Sequence, residues 1–334
     1  MNINKILFMI KKLKTDITNR DSFAISENLH SKELGEYYFI FDEDPARLNQ
    51  LISTFDDNGI PLNSAYIDVD EPRLHYYPIS IGQYGLAVFA SFQKSGNIEK
   101  KDHFLRIADW FYDNRTDDPE LGSYWLTDIP KPEYKIAMPW KSAFAQSRGL
   151  SILLRGWQIT GRKEYFDVCK KALIPFTFDI RDGGVTANLS EGLPFYEEYV
   201  ADGQTMVLDG HFFSLFGLYD FVRAVPESID TEAHLLAKKL FDDGMMSLTH
   251  WLPEFDLKYW LRFNLCRMDH YPETDPCTIG YLRLINAQLK ILSRISGNDF
   301  LSQFQLKIEN YDHIYNIARM YPVKFNALKK LNRI

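Results

Sequence analysis

The chain has only three cysteines, Cys169, Cys266 and Cys277, and none stands in a Cys-x-x-Cys pair. An odd count without that spacing excludes a disulfide framework and a zinc ribbon. Cys169 falls on a helical face and reads as a buried thiol. There is no HExxH and no EF-hand loop, so no metal is called for. Positive charge is also scarce: 38 Lys and Arg against 45 Asp and Glu leave a net charge of −7. That balance lacks the basic footprint of a nucleic-acid binder. It does not exclude an acidic glycan held by cations gathered in one cleft. Long apolar runs are missing as well. Ile6 to Ile10 is followed at once by Lys11, Lys12 and Lys14, which is too short for a signal-peptide core. No later stretch reaches the roughly 18 apolar residues of a membrane span. A soluble, cytoplasmic protein is expected. No exact repeat, low-complexity tract or clear linker interrupts the chain.

Aromatic residues are abundant: 24 Phe, 19 Tyr and 6 Trp among 334 residues. They supply a large core and offer flat faces suited to sugar rings. Apolar spacing predicts helices over 79–92, 98–112, 142–160, 163–176, 206–224, 231–251, 279–295 and 300–311. Asp44-Pro45 predicts a further helix start, with Asn58-Gly59 as its end. Residues 122–138 and 257–265 read as extended, and Gly183-Gly184 as the turn of a short strand. Consecutive helices joined by short connections pack antiparallel. Such hairpins, repeated around a circle, predict a mainly α fold, an α/α toroid or incomplete barrel with short β inserts at one mouth. Residues 1–75 read as an amino-terminal extension or cap, 76–315 as the toroid, and 316–334 as a tail beginning near Pro322.

One segment concentrates proton chemistry. Tyr196-Glu197-Glu198-Tyr199 places two phenols and two carboxylates in four residues, after a turn marked by Gly192 and Pro194. It can donate and accept protons where a loop meets a scaffold helix. The same residues also suit a hydrogen-bonded loop with its rings on the core. His211 reads as a satisfied buried histidine.

Four blocks then resemble one family. Tyr77-Pro78-Ile79-Ser80-Ile81-Gly82-Gln83-Tyr84-Gly85-Leu86 resembles the opening signature of the D-glucuronyl C5-epimerases. Trp140-Lys141-Ser142-Ala143-Phe144-Ala145-Gln146-Ser147-Arg148-Gly149 resembles their next block. Tyr196-Glu197-Glu198-Tyr199, with Val207-Leu208-Asp209-Gly210 and Gly217-Leu218-Tyr219-Asp220, resembles their most distinctive one. Tyr281-Leu282-Arg283-Leu284 and Ala287-Gln288-Leu289 resemble the last. The blocks are collinear between about residues 75 and 311.

The resemblance implies a toroid that inverts C5 of a hexuronic acid in an acidic polysaccharide or lipid-linked oligosaccharide, without an organic cofactor. A homodimer is compatible with it. Animal members carry a large β-rich region ahead of this domain, and about 75 residues stand there here. Removing a proton α to a carboxylate creates a dianion that needs a cation or a proton beside it. Tyrosine, with a reference pKa of about 10, returns protons readily and becomes a base near a cation. By resemblance, Tyr199 and Tyr281 are the proton-transfer pair and Glu198 a carboxylate beside the reacting carbon. Tyr259 and Arg262 would hold the substrate carboxylate, with Tyr259 an alternative proton-transfer residue. Tyr77, Gln83, Tyr84, Trp140, Gln146, Arg148, Tyr196 and Glu197 are candidate sugar-chain contacts, Arg148 as a fork for carboxylate or sulfate.

Two departures stand out. The family carries His after the last block's Tyr and again three residues on, where this chain has Leu282 and Ile285. An alternative register brings Tyr271 near the site. The same C5 abstraction followed by loss of the 4-linked sugar would make a lyase, and a glycan-binding protein without activity is the remaining alternative. A glycoside hydrolase ranks lower, because the neighbouring Glu197 and Glu198 point apart on an extended chain.

Overall fold

The structure, a computed structural model, describes residues 23–333 apart from 42, 45–47, 50, 67–68 and 70–71; of the first 22 it describes 7, 10, 11, 14 and 18. Pro45 and most of the apolar run at 6–10 lie outside the described residues.

Mainly helical architecture follows the spacing of apolar residues. Two helices come first, α1 (Pro78–Ser95) and α2 (Ile98–Asp113). Then come α3 (Ala143–Thr160), α4 (Lys163–Lys171), α5 (Leu208–Ala224) and α6 (Thr231–Trp251). The carboxy-terminal part forms α7 (Ile279–Ser296), α8 (Asp299–Glu309) and α9 (Ile314–Lys330). Local signals set the ends. Ser142 Oγ accepts from Ala145 N at 3.2 Å to start α3, and Gly161, with φ 70°, stops it. Thr278 and Asp230 cap α7 and α6 in the same way.

The helices form two layers. α1 packs on α3, α3 on α5, and α5 on α7, while α2, α4, α6 and α8 each back the helix before them. The first fourteen residues of α3 are all buried, and α5 is buried on nearly every side. A helix apolar all round belongs inside. α2 and α6 bury one stripe and leave the opposite face wet. Close approach in the inner row needs glycine. A Cβ on Gly82 of α1 would meet Arg148 Cβ of α3 at 2.5 Å. Among the described residues, no helix is long and apolar enough to cross a membrane.

Short antiparallel strand pairs fill the connections: β1 (Ile52–Phe55) with β2 (Pro61–Asn63), and β3 (Thr116–Asp118) with β4 (Gly122–Tyr124). β5 (Leu126–Thr127) pairs with β6 (Trp140–Lys141), and β7 (Thr186–Ala187) with β8 (Phe195–Tyr196). The last two pairs deliver the chain to the start of α3 and to Glu197. Ala143 N donates to Glu197 O at 2.8 Å, joining these two points.

Two expectations fail. The helix ending at Asn58-Gly59 is instead a hairpin, in which Asp56 Oδ1 accepts from Asn58 N at 2.9 Å and Ile60 N at 2.8 Å. Asn-Gly between runs rich in β-branched and aromatic residues is a hairpin signal before it is a helix stop. The tail expected from Pro322 is helical, with Pro322 inside α9. The described residues 23–41 are irregular and press Tyr37, Tyr38 and Phe39 onto Phe213 and Phe216 of α5.

Candidate active site

The starts of α5 and α7 lie close together, and the loops before α1, α3 and α5 meet there. Helix N-termini favour anions, so this end suits an acidic substrate. Tyr77 immediately precedes α1, and its phenol accepts from Tyr66 OH at 2.9 Å. Lys131 comes from the Pro-rich loop between β5 and β6. Its ammonium lies 3.7 Å from the centre of the Tyr66 ring and 4.7 Å from that of Tyr199. Glu198 and Tyr199 follow β8. Asp209 sits in the first turn of α5, and Tyr281 in that of α7. The residue after Asp209 must be glycine here, because a Cβ on Gly210 would meet Glu198 Cβ at 2.4 Å and Oε2 at 2.8 Å.

The electrostatics of the cluster are unusual. Burial pushes the phenols of Tyr66, Tyr77, Tyr199 and Tyr281 above their ordinary range, and neighbouring acids and phenols add to this for the last three. Tyr281 is half-buried, with its phenol within electrostatic reach of Asp209 and Glu198. Glu198 is pushed up to about 7 by burial, against the opposing pull of Tyr199 and Lys131. Burial and the charge of Glu198 hold the Asp209 carboxyl well above the usual range. Glu198 Oε2 and Asp209 Oδ1 are buried without a hydrogen-bond partner. Buried polar atoms are rarely left so, and at a site they are groups awaiting a ligand or a proton. Burial pulls the Lys131 ammonium down, but Glu133, with Oε1 at 3.1 Å, and the Tyr66 phenol more than restore it. Lys131 therefore stays charged among the phenols.

A stack of rings backs Tyr199. Tyr134 stacks on it at 5.2 Å, Tyr271 stacks on Tyr134 at 5.2 Å, and Trp140 leans on Tyr199 at 5.4 Å. Asn264 Nδ2 donates to Tyr134 OH at 2.8 Å and Tyr271 OH at 2.7 Å. Tyr271 thus stands one ring behind Tyr199.

Of the residues singled out from sequence, Glu198, Tyr199, Tyr281 and Tyr77 come together. The others are placed elsewhere, each for a physical reason. Glu197 is saturated by Thr205 N at 3.1 Å, Thr205 Oγ1 at 2.5 Å and Met206 N at 2.8 Å. Tyr196 turns inward, and its phenol donates to Leu240 O at 2.5 Å. Gln146 spends its amide on Ser123 O, Ala172 O and Trp125 N. Arg148 is boxed within the core by Tyr37, Phe41, Phe144 and Phe213, so it is no open fork. Tyr84 packs on Phe55 and His103. Trp140 is a wall for Tyr199, with Nε1 donating to Ile129 O at 2.6 Å. Gln83 is half-buried on α1. Arg262 donates to Glu273 O at 2.6 Å and Thr274 Oγ1 at 3.0 Å, and Tyr259 lies under the Arg319 guanidinium at 3.8 Å. Neither joins the phenol cluster. His211 is satisfied: Nδ1 accepts from Tyr196 N at 2.9 Å, and Nε2 faces Gly244 O at 3.0 Å. Burial accordingly lowers its pKa to about 4.

Lys131, Tyr66 and Asp209 have roles that local sequence did not suggest. Lys131 lies in Pro130-Lys131-Pro132, where two prolines announce a rigid turn but give no sign of burial. Among the described residues, no three His, Cys, Asp or Glu side chains converge to hold a metal.

Residues 123–310 match the family described as D-glucuronyl C5-epimerase C-terminus. A D-glucuronyl C5-epimerase of Caenorhabditis elegans is 32% identical over 168 residues, which is 47% of this chain and 26% of that protein. The chain therefore spans about a quarter of that relative's length. The matched segment contains Lys131, Glu198, Tyr199, Asp209 and Tyr281, and by it the chain belongs to the D-glucuronyl C5-epimerase family.

Proposed function

We propose that this chain inverts C5 of a hexuronic acid within an acidic polysaccharide, of the glucuronate-to-iduronate type. One observation carries the reading: the Lys131 ammonium lies over the rings of Tyr66 and Tyr199 beside Glu198, and Tyr77, Tyr281 and Asp209 adjoin that group, with one oxygen each of Glu198 and Asp209 left unpartnered. Inversion needs a proton taken from one ring face and returned to the other, and a countercharge for the dianion in between.

In the proposed sequence, the substrate carboxylate meets Lys131. The C5–H bond breaks, its electron pair passes into the carboxylate, and the proton goes to the Tyr199 oxygen. Tyr199 passes its own proton to Glu198. This resolves the difficulty of an elevated phenol acting as a base, because Glu198, near 7, is the final acceptor. On the other face Tyr281 gives its proton to C5. Asp209, protonated above the usual carboxyl range, resupplies Tyr281, and return of the proton from Glu198 to Asp209 resets the site. The cation role falls to Lys131, which lies over the Tyr199 ring, whereas Arg262 is turned to Glu273 O and Thr274 Oγ1.

The test is incubation with a desulfated, N-acetylated glucuronate polymer in D2O, followed by NMR at C5. Deuterium at C5 together with iduronate signals is the expected result. A 4,5-unsaturated product would mean a lyase. Binding without exchange would mean a glycan-binding protein.

A further inference from the structure

The last helix reaches the site from behind. α9 buries only Ile317, Met320 and Ala327, with Tyr321 partly buried against the core, and also attaches through charged side chains. Lys324 Nζ donates to Asp275 Oδ1 at 2.7 Å, and Asp275 Oδ2 accepts from Tyr271 OH at 3.0 Å. Lys330 Nζ donates to Tyr271 O at 2.8 Å. Just past the helix, Arg333 makes an ion pair with Glu133 Oε2 that is not aligned as a directed hydrogen bond. The other oxygen of Glu133 holds Lys131. Glu133 is almost fully buried, with 3% of its side chain exposed, so its charge is met chiefly by these two cations, with a weaker pull from Lys324, rather than by water.

We propose that α9 is a strap completing the active site, and that Arg333 is a positioning residue that sets Lys131 through Glu133. Glu133 is a carboxylate with two claims on it. While Arg333 takes one oxygen, Lys131 is free to lean over Tyr66 and Tyr199 and toward an incoming carboxylate. Without Arg333 more of the charge of Glu133 falls on Lys131 and draws its ammonium back. Glu198 also faces Lys131, as do the neutral phenols of Tyr66 and Tyr199, and Lys324 acts on Glu133 more weakly than Arg333 does. Groups one shell from a reacting centre commonly alter affinity or activity by about tenfold. Lys131 meets the carboxylate in the ground state and the dianion that follows, so the loss falls on kcat/KM.

This inference rests on the proposed epimerase reading, so its test includes one readout that does not. The full chain is compared with Arg333→Met and Arg333→Lys in C5 deuterium uptake on the glucuronate polymer. In parallel, the Lys131 signal is followed by NMR of protein labelled at lysine Cε, assigned with Lys131→Arg. The expected result is a fall in kcat/KM of about tenfold in Arg333→Met, substantial recovery in Arg333→Lys, and a displaced Lys131 signal in Arg333→Met alone. An unchanged kcat/KM with an unmoved Lys131 signal would overturn the role. So would a loss in Arg333→Lys equal to that in Arg333→Met. If the wild-type chain shows no C5 exchange, the epimerase reading fails, and the Lys131 signal still decides whether Arg333 sets Lys131.

Discussion

The inner helices carry two buried polar clusters, and they are built to opposite rules. Toward the far ends of α3 and α5, Asp220 is paired with Arg155 at 2.7 Å and Arg223 at 2.7 Å and accepts from Tyr38 OH at 2.9 Å. Burial alone would raise its carboxyl, but the two guanidinium groups hold it below the usual range. At the near end, Glu198 is met by the Lys131 ammonium, Asp209 is raised by burial and by the charge of Glu198, and each carboxyl keeps one unpartnered oxygen and lies above its usual range. Depth is the same in both clusters, and the ratio of cation to carboxylate differs. A paired cluster ties the amino-terminal segment to the helices. A cluster short of cations holds protons that can move. Burial of charge therefore does not mark the candidate site; a shortage of cations around its carboxyl groups does.

The comparison can be broken at several points. Tyr199→Phe should lower C5 exchange by about 10²- to 10⁴-fold, the range of a lost proton-transfer group, while its unfolding curve stays near wild type. Asp220→Asn should do the reverse. It leaves two arginines buried without their countercharge and should cost about 3–5 kcal/mol in urea unfolding, with activity per folded molecule retained.

Glu198→Gln should show both behaviours. A carboxyl raised on folding contributes stability that is complete below its unfolded pKa and is lost as pH rises through its folded pKa. With the folded value near 7, wild-type stability should decline from pH 5 to pH 8. Glu198→Gln should flatten that decline, gaining on the order of 1–3 kcal/mol at pH 8 while exchange is lost. Activity of the wild type should rise through pH 7 as Glu198 becomes able to accept a proton. A wild-type rate that is flat across that range would remove Glu198 from the relay. The smallest effect is expected for Tyr196→Phe, which loses one buried hydrogen bond to Leu240 O and about 1 kcal/mol of stability, without altering the chemistry.

The helical layers were legible because α1 to α8 carry apolar spacing, with side-chain caps at Ser142, Asp230 and Thr278 and glycine stops at Gly96, Gly161 and Gly297. Glu198, Tyr199 and Tyr281 were legible through their blocks. What failed was the direction of side chains within those blocks. Tyr196 and Tyr199 are three residues apart on a short strand and the loop after it; one turns to α6 and the other to Lys131. Gln146 and Arg148 looked like sugar contacts because they are polar, yet α3 is wrapped by neighbours and absorbs both. Lys131 could not be found locally, because its partners Tyr66 and Tyr199 lie far off in sequence and only the fold brings them to it. Arg333 was hidden likewise, in a segment that read as a tail.

The most direct measurement sets the two tyrosines of one motif side by side. C5 deuterium uptake from D2O is compared for Tyr199→Phe and Tyr196→Phe, each normalised to folded protein. The proposed site predicts near wild-type uptake in Tyr196→Phe and its loss in Tyr199→Phe. Equal loss in both, or uptake retained in Tyr199→Phe, would contradict it.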